Sequence, residues 1–116
     1  VSTLIGQEAE ESAAQWLQHT KKWKLVETNW KLPSVEIDVI MKYKKSLHFI
    51  EVKYRSSLYS GDGFSAVTIG KFNRLKRGAQ LYLAEYPWKG TVQIDVVAVT
   101  GQLGALNFEL IENVTV

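Results

Sequence analysis

Three acidic residues interrupt stretches of the sequence where water should be scarce. Glu10 falls on one helical face with Gly6, Ala13, Ala14 and Leu17. Asp38 sits inside Val-Glu-Ile-Asp-Val-Ile (35–40), and Glu51 inside Leu-His-Phe-Ile-Glu-Val (47–52). A buried carboxylate without a partner is costly, and its usual resolutions are a shifted pKa or a bound cation. A hairpin turning between Lys42 and Lys45 places Asp38 opposite residues 49–51. Glu51 is then one direct or diagonal cross-strand step away, about 5–8 Å. Two like charges at that spacing need something positive between them. Mg²⁺ fits, since it takes one or two carboxylates together with water and phosphate oxygens. Lys53, two residues past Glu51 on the same strand face, can hold a water or steady developing negative charge. An acid two residues before a lysine is expected about once by chance in a chain with 12 acids and 11 lysines, so Glu51-Val52-Lys53 carries weight only through its apolar setting. The same residues also fit a structural ion-pair cluster, and the pattern leaves both readings open.

Seven elements must position these groups. Ser2 or Thr3 can cap a helix running to about Thr20. Three alternating segments follow, Leu25–Asn29, Val35–Met41 and Ser46–Tyr54. The second puts Val35, Ile37, Val39 and Met41 on one face. The third puts Leu47, Phe49, Glu51 and Lys53 on one face and His48, Ile50, Val52 and Tyr54 on the other. Residues 55–67 read as a loop. Thr68 can cap a second helix to about Tyr86, with an apolar stripe of Phe72, Leu75, Ala79, Tyr82, Leu83 and Tyr86. Lys71, Arg74, Lys76 and Arg77 crowd its first half; facing the same cleft as the acids, they would meet phosphates. Trp88-Lys89-Gly90 is a turn before two last strands, Val92–Val99 and Leu106–Ile111. The order α-β-β-β-α-β-β predicts an α/β fold: an antiparallel meander, then a parallel crossover through the second helix, giving a mixed five-stranded sheet flanked by helices.

Competing motifs are weaker. Gly61-Asp62-Gly63-Phe64-Ser65-Ala66 matches a dinucleotide fingerprint in letters, but it begins seven residues after its strand, and no acid ends a following strand about 20 residues on. It reads as a flexible loop. His19 reads as a capping or solvated residue and His48 as a packed one, with no nucleophilic triad around either. Trp16, Trp23, Trp30 and Trp88 read as core and edge packing. Asp95 reads as a paired structural acid.

Composition narrows the function classes. The chain has 116 residues, 46% hydrophobic and 22% charged, with a net charge of +2. These values suit one globular domain, here taken as 1–116, and exclude a disordered chain or a strongly basic coat for nucleic acid. No cysteine occurs, so disulfides, thiolate zinc sites and cysteine nucleophiles are excluded. No apolar run approaches 18 residues and no secretory pattern opens the chain, so no membrane partner and a cytoplasmic location are expected.

Several segments taken together resemble the bacterial YraN family, small proteins regarded as nucleases of the restriction-endonuclease-like, PD-(D/E)XK type. The segments are Ile5-Gly6-Gln7-Glu8-Ala9-Glu10 with Ala13-Ala14 and Trp16-Leu17; Asn29-Trp30; Glu36-Ile37-Asp38-Val39-Ile40; Phe49-Ile50-Glu51-Val52-Lys53-Tyr54-Arg55; Ala66-Val67-Thr68 with Lys71, Arg74-Leu75, Ala79 and Tyr82-Leu83; Ile94-Asp95-Val96-Val97-Ala98-Val99; and Ile111-Glu112-Asn113. Val35 and Ala9 stand where the family has or often has Gly, and Gln93 where Arg is common, which affects packing, a phosphate contact or a salt bridge. The resemblance implies a restriction-endonuclease-like fold, Asp38 and Glu51 as Mg²⁺ or Mn²⁺ ligands, Lys53 for the water and Glu10 as an accessory acid. Arg55, Lys71, Arg74 and Arg77 are then the expected nucleic-acid contacts. The function implied is a metal-dependent DNA endonuclease. By analogy with archaeal resolvases, which share this layout, branched DNA is a substrate to consider and a homodimer would match. The alternative is a nucleic-acid-binding or scaffold protein that keeps the fold without cutting.

Overall fold

A computed structural model of the chain describes residues 4–55, 69–102 and 104–114. Its elements are α1 (Leu4–Thr20), β1 (Lys24–Leu32), β2 (Val35–Tyr43), β3 (Ser46–Arg55), α2 (Ile69–Glu85), β4 (Thr91–Gln102) and β5 (Ala105–Ile111). The strands form one sheet in sequence order. The β1–β2, β2–β3 and β4–β5 pairs are antiparallel, and β3–β4 is parallel across the α2 connection. The α/β mixed sheet, its element order and its two helices are those the sequence led us to expect, and the order is that of a restriction-endonuclease-like fold. The expected caps Ser2, Thr3 and Thr68 and the Gly61–Ser65 motif lie outside the described residues. Among the described residues, no helix is long and apolar enough to cross a membrane.

Each face of the sheet is covered by one helix. On the first, Ala9, Ala13, Ala14 and Leu17 of α1 pack with Trp23, Val39, Met41, Ile50, Val97 and Val99. The run of alanines brings the helix axis close to the strands. On the second, Ala79 and Tyr82 of α2 pack with Ile37, Ile40, Leu47 and Phe49. Burying each large apolar side chain contributes roughly 1.5–3 kcal/mol. α1 ends as its hydrogen bonds run out: Lys21 N–H donates to the Leu17 carbonyl, Thr20 Oγ1 donates to Trp16, and Lys22 turns left-handed (φ 63°). Tyr86, expected on the α2 stripe, lies just past the helix and is exposed.

One sequence expectation is corrected. Val35, Ile37, Val39 and Met41 do not share a face. Ile37 joins the α2 side with Ile40, and Val35 approaches Gly78 of α2, whereas Val39 and Met41 join the α1 side. Alternation breaks at Asp38. On the neighbouring strand, between the pairs Thr28↔Val39 and Trp30↔Ile37, Asn29 has φ 53°. Both strands depart from regular pleat at the level of the acid. The two faces of β3 are as expected, with Leu47 and Phe49 on the α2 side and Ile50, Val52 and Tyr54 on the α1 side.

Candidate active site

The site forms where β2 and β3 part. Their register runs from Tyr43↔Ser46 to Val39↔Ile50 and goes no further. At the next level the Asp38 carboxylate replaces the ladder, its Oδ2 accepting the Val52 N–H at 2.9 Å. Asp38 and Glu51 carboxyls are in hydrogen-bond contact, and Glu10 reaches Asp38 from α1. Glu51 is buried, 4% exposed. Lys53 Nζ lies 3.5 Å and Lys71 Nζ 3.1 Å from Glu51 Oε2. The structure therefore gathers Glu10, Asp38, Glu51 and Lys53 around one opening of the sheet.

The electrostatics of this opening are unbalanced. Burial, then the Glu51 charge, pushes the Asp38 carboxyl up to about 8, against the pull of the Val52 N–H. Glu10 is also raised, by burial first and then by Glu36, while hydrogen bonds from Asn29 and Asp38 oppose the shift. Both lysines sit on the same oxygen of Glu51. Glu10 Oε1 and Asn29 Oδ1 are buried and accept no hydrogen bond among the described residues. Stranded acceptors beside crowded carboxylates are what a hydrated divalent cation satisfies, and the oxygen-only donor set suits Mg²⁺ or Mn²⁺ rather than a soft metal.

The expected phosphate contacts divide. Lys71 and Arg74 line a cavity of about 380 Å³ with Lys31, Ser34, Glu36 and neighbouring apolar residues of the β1–β2 turn. Lys71 links this cavity to the acids through its contact with Glu51, while Glu10, Asp38, Glu51 and Lys53 do not line it. Arg77 is exposed and does not line that cavity. Arg55 is half-buried and donates to the Tyr54 carbonyl at 3.1 Å.

Two features escaped the sequence reading. Asn29 carries no role in the sequence beyond its place in the Asn-Trp step; its side chain meets the Glu10 carboxyl, and its left-handed backbone is one that Asn tolerates better than most. The second is a hydrogen-bonded chain, Ser46 Oγ to His48 Nε2 (2.9 Å) and His48 Nδ1 to Asp95 Oδ2 (2.7 Å), where no such triad was expected. The Ser46 hydroxyl also donates to the Tyr43 carbonyl at 2.8 Å, and Trp23 stacks on the imidazole at 3.8 Å. The serine proton is thus directed away from the histidine, and the chain ties β3 to β4. Asp95 has the paired structural role expected of it, its Oδ1 accepting Gln93 Nε2 and the Asn113 N–H, each at 2.9 Å. Gln93 Nε2 also donates to Glu112 at 3.1 Å, so it bridges two acids and makes no open anion contact. Ligand atoms of His48, Asp95 and Glu112 lie within 4.8 Å of one another, close enough to hold a metal ion, and among the described residues Glu10, Asp38 and Glu51 form no grouping of three that is as compact.

Comparison with known proteins matches residues 9–99 to "Uncharacterised protein family UPF0102". A UPF0102 protein of Beutenbergia cavernae is 43% identical over 96 residues, covering 82% of this chain and 80% of its own. One of Methylococcus capsulatus is 36% identical over 110 residues, covering 95% and 89%. One of Shewanella loihica is 40% identical over 96 residues, covering 83% of each. The match spans Glu10, Asp38, Glu51, Lys53 and most of both helices, and by it the chain belongs to UPF0102, the family to which the YraN resemblance pointed.

Proposed function

We propose that the protein is a metal-dependent endonuclease acting on DNA through phosphate contacts and shape. The observation that carries the reading is the Asp38–Glu51 carboxyl pair at the opening of β2 and β3, with Lys53 3.5 Å from Glu51. Asp38 and Glu51 would hold Mg²⁺ or Mn²⁺, with Glu10 as the accessory acid. A bound divalent ion supplies Lewis-acid polarisation of a phosphate oxygen and the charge that offsets the carboxylates. The rest falls to the chain. The Val52 N–H fixes the Asp38 carboxylate, leaving its other oxygen for the ion. Asn29 orients Glu10. Lys53 presents its ammonium beside Glu51, where it orients the attacking water and opposes charge growing on the phosphate. Lys71 and Arg74 receive neighbouring phosphates on the cleft wall.

The test is incubation with single-stranded, duplex, flap and four-way-junction DNA, with Mn²⁺ or with chelator. Metal-dependent nicking should appear and fall at least 100-fold in Lys53→Ala, in keeping with loss of a group that stabilises the transition state. Shifted bands without cutting on any substrate would instead identify a binding protein that keeps the fold.

A further inference from the structure

The far end of the sheet carries the opposite charge. Lys22 follows α1, Lys24 opens β1, Lys42 stands near the end of β2 and Lys44 lies in the β2–β3 turn. With Tyr43 and Trp88 they line a cavity of about 420 Å³ that no acid borders among the described residues. Trp88 and Lys44 are shared with a second cavity of about 370 Å³, completed by Lys45, Lys89 and Gly90. Six of the chain's 11 lysines thus surround one indole.

Three observations separate this end from a scatter of surface lysines. Lys24 and Lys42 are direct partners in the β1–β2 register, where like charges destabilise the pair. Neither forms an ion pair among the described residues; the lysines that do are Lys21, Lys31, Lys53 and Lys71. Lys22 (φ 63°) and Lys44 (φ 52°) hold left-handed backbone that Gly or Asn adopts at less cost. The β2–β3 turn is also tied to the α2–β4 connection. The Lys45 carbonyl accepts both the Thr91 N–H (2.8 Å) and the Trp88 indole N–H (3.0 Å). Gly90 backs so closely onto it that an added Cβ would stand 1.7 Å from that oxygen. Repulsion and strain kept in place on a fixed frame point to an anion whose binding offsets them.

We propose that this end binds single-stranded nucleic acid, with phosphates on Lys22, Lys24, Lys42 and Lys44 and a base stacked on Trp88. The aromatic ring selects this ligand over a plain polyanion. Trp88 packs in part against the α2-side core and its indole N–H is bonded to Lys45, so what it gives the two cavities it lines is ring surface, on which bases stack between phosphate contacts. Lys42 is four residues along β2 from Asp38, about 13 Å at the strand rise. The site is therefore separate from the acidic centre and stands whether or not that centre cuts.

The test uses the whole chain in chelator, so that no cutting occurs. Binding of a fluorescein-labelled eight-nucleotide oligothymidylate is followed by anisotropy, and photo-crosslinking uses the same oligomer carrying 5-iododeoxyuridine. Lys24→Glu with Lys42→Glu should lower affinity at least tenfold. The slope of log affinity against log salt should become shallower by about 1.4, the share of two phosphate contacts on a single strand. Lys24→Gln with Lys42→Gln, which relieves the repulsion, should bind several-fold less tightly without any fall in Tm. An abasic oligomer of equal charge should bind at least fivefold more weakly, and the crosslink should map to Trp88 or Tyr43. Unchanged affinity in the folded Gln variant, equal binding of the abasic oligomer, or crosslinks confined to α2 would overturn the proposal. Absence of cleavage by the wild type, with this binding intact, would count against the nuclease reading alone.

Discussion

At the scale of single residues, Asp38 is the group the fold holds least comfortably. Glu51 has Lys53 and Lys71 on one of its oxygens, whereas Asp38 has only a backbone N–H and two acidic neighbours. The relief of charge therefore belongs to Asp38. Its carboxyl ionises near pH 4 in the unfolded chain and near 8 in the folded one, so folding takes up a proton throughout that window. Stability of the metal-free protein should be greatest below about pH 4 as far as this group decides, and should fall as pH rises to about 8. The slope is at most about 1.4 kcal/mol per pH unit for the one proton. Asp38→Asn keeps an oxygen for the Val52 N–H and removes the ionisation. In chelator at pH 9 it should be more stable than wild type by on the order of 1–3 kcal/mol. It should also lose the stabilisation that Mg²⁺ or Mn²⁺ gives the wild type, since a ligand of the folded state alone raises stability through its own affinity. Thermal unfolding of both proteins from pH 5 to 9, with chelator and with metal, decides it; wild-type stability that rises with pH in chelator would sink the account. The acids were legible because they break apolar runs. Asn29 and the Lys71–Glu51 contact were not, because each joins residues distant in the chain, and no local pattern encodes the join.

At the scale of elements, the legible parts were those with strong periodicity. Both helices, the β3 faces and the buried stretch of β4 follow from spacing alone. β1 was underestimated at its C-terminal end, because Trp30 to Leu32 on a mostly exposed edge strand carries little alternation. The faces of β2 were misread for a physical reason: period-two counting assumes regular pleat, and the strand changes face at Asp38, where its β3 ladder ends. That departure lets Asp38 turn its carboxyl toward β3. Helix α2 must then lie close enough for Lys71 to reach Glu51, and Gly78 is where it approaches β2. A Cβ there would stand 3.3 Å from Ile37 Cγ1 and 3.6 Å from Val35 Cβ. Gly78→Leu should destabilise the fold by about 1–3 kcal/mol through overpacking, despite the better helix propensity of Leu. It should also weaken DNA binding by pushing Lys71 and Arg74 off the cleft. A variant as stable as wild type in urea unfolding would mean that the helix can lift away from β2 at no cost.

At the scale of the whole molecule, a net charge of +2 conceals a strong separation. Glu10, Asp38 and Glu51 gather the acids at the opening of β2 and β3, while lysines gather around Trp88 at the other end. The two ends, about 13 Å apart along β2 at the strand rise, are farther apart than the Debye length of about 8 Å at physiological ionic strength. Each therefore acts on a phosphate largely independently of the other. Nucleic acid should be held mainly through Lys71, Arg74 and the lysine end, and the contact should read charge and shape. Four to six phosphate contacts imply a slope of log affinity against log salt on the order of −3 to −5. Scrambled sequences of equal length should bind within about twofold of one another. Divalent metal should raise affinity by offsetting the acidic cluster beside the nearest phosphate, and Asp38→Asn should obtain part of that gain without metal at pH 9, where the Asp38 carboxyl of the wild type is ionised. The measurement is a salt titration of duplex and single-stranded oligonucleotides, each in two unrelated sequences, with chelator and with Ca²⁺ in place of a metal that supports cutting. Affinity that ignores salt, or that singles out one sequence, would show that recognition lies in contacts to base edges rather than in phosphates and sequence-tolerant stacking.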